Sequence, residues 1–126
     1  MSSEDNKPVN DDILVYRFFE DAKICVISLG GNLNYKNKES CEAILEQIKK
    51  SKAPVFVMNF RDVQKIDKNI HRYLVQLQTL IRSELHAEVR ICELKTTFKS
   101  DLLDIGIIKA SEYFLNLREA LVGAKR

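Results

Sequence analysis

The chain has 126 residues, 45% of them apolar and 30% charged, with 20 basic and 18 acidic side chains and a net charge of +2. That length fits one domain, and the apolar share is enough to build a core, which excludes an extended disordered chain. Charge this nearly balanced, with no basic block in sequence, excludes an electrostatic footprint for nucleic acid; no segment approaches the roughly 18 apolar residues of a membrane span, so no membrane insertion is expected.

Residues 1–11 are polar, carry Pro8 and end on Asp11. They read as a flexible tail, with residues 12–126 forming a single domain. The N-terminus lacks the apolar heart of a signal peptide. Three separated cysteines, Cys25, Cys41 and Cys92, make no CxxC or Cys/His cluster. Buried thiols in a reducing, cytoplasmic setting are expected, with no metal and no cofactor.

The aromatic-rich run Ile13 to Phe19 predicts a first strand, and Glu20-Asp21 a tight turn into a second, Lys23 to Leu29, paired antiparallel with it. Gly30-Gly31-Asn32 is expected to stop that strand. Lys38 to Lys50 predicts a helix with Cys41, Ile44, Leu45 and Ile48 on its buried stripe and Asn34 or Asn37 as cap. Its Glu39 and Glu42 complement the positive end of the macrodipole, and Lys49-Lys50 the negative end.

Pro54 to Phe60 contains the unbroken apolar run Val55 to Met58, as in a strand covered on both faces. Arg61 to Ile66 reads as a short loop. A long amphipathic helix is expected from Asp67, with Ile70, Tyr73, Leu74, Leu77, Leu80, Ile81 and Leu85 on one stripe. His71, Arg72, Gln76, Gln78, Thr79, Arg82 and Ser83 fall on the opposite face.

Ala87 to Leu94 alternates Val89 and Ile91 against Glu88 and Arg90, which predicts a strand nearer a sheet edge. Ser100-Asp101 is placed to cap a short helix, Leu102 to Ile105, ended by Gly106. The stretch from Ile107 to Phe114 leaves room for a short last strand. Asn116 then caps a terminal helix that turns Leu117, Ala120 and Leu121 inward. Strands alternating with helices imply an α/β fold: a central mixed sheet of four to five strands with helices packed against it.

Few residues offer chemistry. Gly30-Gly31 lacks the pattern of a phosphate loop, and a strand-ending turn explains it. His71 and His86 have no nucleophile pattern beside them. Asp62 and Asp67 flank a loop and could pair for acid–base work or magnesium; capping of the following helix by Asp67 is the simpler reading. Tyr16, Phe18, Phe19, Phe56 and Phe60 lack the basic interleaving of a base-stacking platform and read as core. No constellation supports an enzyme.

Several segments together resemble one family. These are "LGGNLNYKN" at Leu29–Asn37, "PVFVMNFRDVQKID" at Pro54–Asp67, the striped helix after it, "AEVRICEL", "DLLDIGI" and the closing "LREALVGA". In order and spacing they resemble the STAS domain of anti-sigma factor antagonists and sulfate-transporter tails over nearly all of residues 13 to 124. The resemblance implies a STAS-like fold and a regulator without catalytic activity. It further implies a Ser or Thr directly after the loop Asp, phosphorylated by a partner kinase that the unphosphorylated form captures.

The chain departs from that pattern at its centre. Asp67 matches the loop Asp, but Lys68 stands at the phospho-acceptor position, Asn69 and Ile70 replace the second Ser/Thr and the Gly, and Asn59 replaces a strand-ending Asp. Lysine does not take the phosphate in this chemistry, and its charge opposes the positive end of a helix dipole. The usual switch is therefore expected to be lost.

Two sets of site residues follow. Asn59, Arg61, Asp62, Asp67, Lys68, Asn69, His71 and Arg72 are the expected partner-binding surface. Thr96, Thr97 and Ser100, in the loop after the fourth strand, are candidate phosphorylation sites, because stressosome-type relatives carry a second site in that part of the chain. The expected function is a non-catalytic interaction module in partner switching or scaffolding of bacterial signalling and transcription regulation. Its partner would be an anti-sigma factor or histidine-kinase-like ATPase, or another STAS protein, and not a nucleic acid. A small-ligand or nucleotide sensor using the same end of the sheet is the alternative.

Overall fold

The sheet starts with a hairpin set by one side chain. In the computed structural model, which describes residues 14–123, β1 (Leu14–Glu20) and β2 (Cys25–Leu33) pair antiparallel. Asp21 Oδ1 accepts the backbone N–H groups of Lys23 (2.8 Å) and Ile24 (3.0 Å), an Asx turn that reverses the chain. The tail expected at residues 1–11 and the first residue of the expected strand, Ile13, lie outside the described residues.

Next come α1 (Lys38–Lys50), β3 (Val55–Ile66), α2 (His71–Thr79, continued by a π turn over Leu80–Glu84), β4 (Glu88–Cys92), α3 (Thr96–Asp104), β5 (Tyr113–Phe114) and α4 (Leu117–Gly123). Spatial order follows chain order, β1-β2-β3-β4-β5, and every pairing after the first is parallel. The mixed five-stranded α/β sheet is as expected.

Alternation along β3 divides the core into two layers. Phe56 and Met58 join Ile27 and Ile91 beneath Ile44 and Ile48 of α1, Leu77 and Ile81 of α2, and Leu102 of α3. Val55 and Val57 point the other way and meet Val26, Cys92 and Ala120, with Leu117 and Leu121 of α4 packed on them. The short sequence Val55–Met58 is thus covered on both faces. Full burial of each large side chain contributes about 1.5–3 kcal/mol, so this strand anchors both layers.

Several expectations need correction. Gly30 and Gly31 do not end β2, which runs to Leu33, and Arg61 to Ile66 is not a loop but the second half of a 12-residue β3. The register slips twice, once between Ser28 and Gly30 and again between Gly31 and Asn32, so β3 carries an extra residue at each place. Glycine permits this: a Cβ on Gly30 would sit 3.0 Å from Val15 Cγ2 and 3.2 Å from Asp62 Cβ, and Gly31 has φ +87°.

Gln78 is buried rather than on the solvent face of α2, and Arg90 is buried in β4. Arg90 Nε donates to Glu88 Oε2 (2.6 Å), its Nη1 donates to the Ala120 carbonyl (3.1 Å), and the guanidinium lies over the Phe114 ring. The cation is tolerated because it is paired and fastens α4 to the sheet. α3 starts at Thr96, so Ser100 and Asp101 are interior helical residues, not caps. Asn116 does cap α4, accepting the Glu119 N–H at 2.9 Å.

All three cysteines are buried free thiols. Burial, helped by neighbouring carboxylates, pushes Cys25 and Cys92 up to about 12 and Cys41 to about 11. Such thiols stay protonated and unreactive at neutral pH.

Candidate functional site

The extension of β3 brings the sequence-predicted residues to one end of the sheet. Asn32 pairs with Lys65 and Leu33 with Ile66, and the Asp67 N–H continues the ladder to the Leu33 carbonyl at 2.9 Å. A single 3-10 turn, Lys68–Ile70, then leads into α2. Lys68 and Asn69 therefore cap a rigid strand end, with Ile70 buried directly behind them.

Arg61, Asp62, Asp67, Lys68, Asn69 and Arg72 are all exposed there. Asn59 is not: it is buried, its Nδ2 donates to Ser28 Oγ (3.3 Å) and its Oδ1 accepts the Arg61 N–H (3.0 Å). Its visible work is to hold the first bulge. Asp62 sits beside Gly30 in a shallow cleft of about 270 Å³ lined also by Val15, Arg17 and Ser28.

The expected capping by Asp67 does not occur. It stands at the N-cap position, but its side chain makes no capping bond; its backbone carbonyl accepts the Ile70 N–H at 3.1 Å instead. The tight turn satisfies this N–H through the backbone. No acidic residue lies in the first turn of the 3-10 segment or of α2, where the charges are those of Lys68 and Arg72. The start of α1 differs from expectation as well: Asn37 donates its side-chain amide to the Asn32 carbonyl (2.7 Å), while Asn34 Oδ1 accepts the Lys36 N–H (2.9 Å).

Half-buried His71 shares a small cavity with Ile66, Phe98, Asp101 and Leu102, which joins the start of α2 to α3. Thr96, Thr97 and Ser100 are exposed on α3 rather than in a loop. Because β4 is parallel to β3, α3 starts at the same end of the sheet as Lys68. His86 is exposed at φ 53° just past the π turn and touches none of this.

Among the described residues, no group of three or more His, Cys, Asp or Glu could hold a metal ion. Asp62 faces the β1–β2 cleft while Asp67 follows the end of β3, so the two carboxylates do not pair. Residues missed in the sequence are Lys65, brought beside the β2–α1 connection by the register, and Ser28, which fixes Asn59. Their signal was hidden by the bulges, which break the period of two.

No protein-family model matches the chain, and no curated protein matches its sequence. Solved structures do match its fold. An anti-sigma factor antagonist from Mycobacterium paratuberculosis superposes with a TM-score of 0.78 at 13% identity, covering 91% of this chain and 97% of that one. An RsbS variant from Moorella thermoacetica gives 0.72 at 17% identity over 87% and 94% of the two chains. The anti-sigma factor antagonist SpoIIAA in its unphosphorylated form gives 0.70 at 14% identity over 88% and 96%. The chain is thus a STAS-like domain in fold, of the kind seen in anti-sigma factor antagonists. Among the described residues, no helix is long and apolar enough to cross a membrane.

Proposed function

We propose that this domain is a non-catalytic interaction module of signalling, acting in partner switching or as a scaffold in the bacterial cytoplasm. Its docking surface is the sheet end formed by Arg61, Asp62, Asp67, Lys68, Asn69, His71 and Arg72, with Asn59 supporting it from within. The partner is a protein: an anti-sigma factor or histidine-kinase-like ATPase, or a second STAS-type domain.

The observation that carries this reading is the exposed, uncapped strand-to-helix junction at Lys68, held rigid by a 12-residue strand in a fold shared with anti-sigma factor antagonists. Capture of a partner requires no reactive group. Position 68 is lysine, so regulation by phosphate does not act at it. Thr96, Thr97 and Ser100 remain the hydroxyls from which phosphate, about −1.5 to −2 in charge, would reach the same end of the sheet.

Two experiments test this. Asn69→Trp plants a bulky ring on the junction without changing charge and is expected to weaken capture of the native partner at least about tenfold, which is about 1.4 kcal/mol. Capture at unchanged affinity rejects the site. Incubation with the candidate kinase and ATP is expected to leave residues 61–72 unlabelled, with any label mapping to α3. The cleft beside Asp62 supports a second reading, a small-ligand sensor. A ligand present at 100 times its dissociation constant would add about 2.7 kcal/mol in a thermal-shift screen.

A further inference from the structure

The charge of this protein is unevenly placed, and only the folded chain reveals it. The β2–α1 connection with the first helical residues (34–39) and the β3–α2 junction (61–72) are joined by the Asn32–Lys65 and Leu33–Ile66 pairs. Together these 18 residues hold six of the 20 basic side chains, Lys36, Lys38, Arg61, Lys65, Lys68 and Arg72, but only three of the 18 acidic ones, Glu39, Asp62 and Asp67. They carry +3, and the rest of the chain carries −1.

These cations also differ from those the fold uses internally. Arg82 is clasped by Glu112 and Arg90 by Glu88. Arg61, Lys65, Lys68 and Arg72 are exposed, and among the described residues none of the four forms an ion pair or a side-chain hydrogen bond. Lys36 and Lys38 have contacts of their own and enter only through their charge. Two of the four, Arg61 and Lys65, project from a paired strand, so their backbone needs no further ordering when they are engaged.

The geometry points to an acidic protein surface as the partner of this end of the sheet, with Lys65 as a specificity residue beside Lys68 and Arg72. The inference rests on the docking role proposed above and adds its chemistry. Three carboxylates are interspersed among the cations. They would repel a phosphate backbone at every register, whereas a protein face can answer Asp62 and Asp67 with its own cations and the lysines with its acids.

The test uses isotope-labelled full-length protein titrated with three probes, a polyglutamate peptide, a polylysine peptide and duplex DNA, and read by amide resonances. Polyglutamate is expected to move the signals of residues 61–72 and to bind more tightly than either other probe. Raising salt from about 0.05 M to about 0.5 M shortens the screening length several-fold and should weaken it about tenfold or more. Lys65→Glu and Lys68→Glu should each weaken it about fivefold. Tighter binding of DNA, or polyglutamate shifts away from residues 61–72, overturns the inference. The docking role is judged separately by Asn69→Trp: if that variant loses the native partner while both charge reversals keep it, the surface stands and its acidic partner chemistry falls.

Discussion

Two regions of this molecule use the same side chains for opposite ends. Beside β4 and β5, buried Arg90 and the partly exposed Arg82 of the π turn each meet a carboxylate: Glu88 for one, Glu112 for the other through two contacts. At the β3–α2 junction, Arg61 and Arg72 stand in solvent, and among the described residues no carboxylate pairs with them. The first arrangement spends charge on architecture, clamping α4 and the segment before β5. The second holds charge on a stiff strand end, where the helix start lacks both a side-chain cap and an acidic first turn. The starts of α2 and α3, both at this end of the sheet, lack a side-chain cap and an acidic first turn, and departures from local rules of helix stability are expected where function resides.

The comparison can be broken first on the flank. Arg90→Ala removes the donor to the Ala120 carbonyl and the stem packed beneath α4, and should cost about 2–3 kcal/mol in urea unfolding. Gly30→Ala forces a Cβ against Val15 and Asp62, two side chains on adjacent strands, and should cost about 1–2 kcal/mol. A Gly30→Ala protein of parental stability would mean that the bulged strands part more easily than the contact distances imply.

A third prediction concerns the interior thiols. Their folded pKa values are raised, so the neutral form favours the folded state. The stabilisation is complete below the unfolded value, near 9, and fades as pH climbs toward about 11 to 12. Unfolding free energy should fall by about 1 kcal/mol per thiol by pH 10, and thiol reagents should label none of the three in the native protein at pH 8.

The smallest effect sharpens the contrast most. Lys68→Glu replaces a cation with an anion at the start of a helix and should raise stability by about 0.3–1 kcal/mol. If instead it destabilises by several kcal/mol, Lys68 is a structural residue and not a contact held ready for a partner.

Much of this was legible in the sequence, and the failures share a cause. The hairpin, α1, the buried Val55–Met58 run, the α2 stripe and the Asn116 cap all follow from periodicity and end signals. Arg61 to Ile66 did not, because two inserted residues break the alternation that marks a strand, leaving only Val63 and Ile66 as apolar positions. Gly30-Gly31 looked like a stop because glycine ends strands as readily as it lets them approach closely. Arg90 looked solvent-facing because period alone does not say that a second layer, here α4, covers a position. At the site, each cation was visible but not their assembly: residues 34–39 and 61–72 are far apart in sequence and are brought side by side only by the parallel pairing of β2 and β3.

The central claim, that this rigid sheet end exists to be recognised, is tested most directly by titrating the purified native partner into the isotope-labelled domain. The account predicts that the amides of residues 61–72 move first and most, with those at the start of α3 following. A partner that shifts the β4–β5 flank or α4 and leaves residues 61–72 still would contradict it.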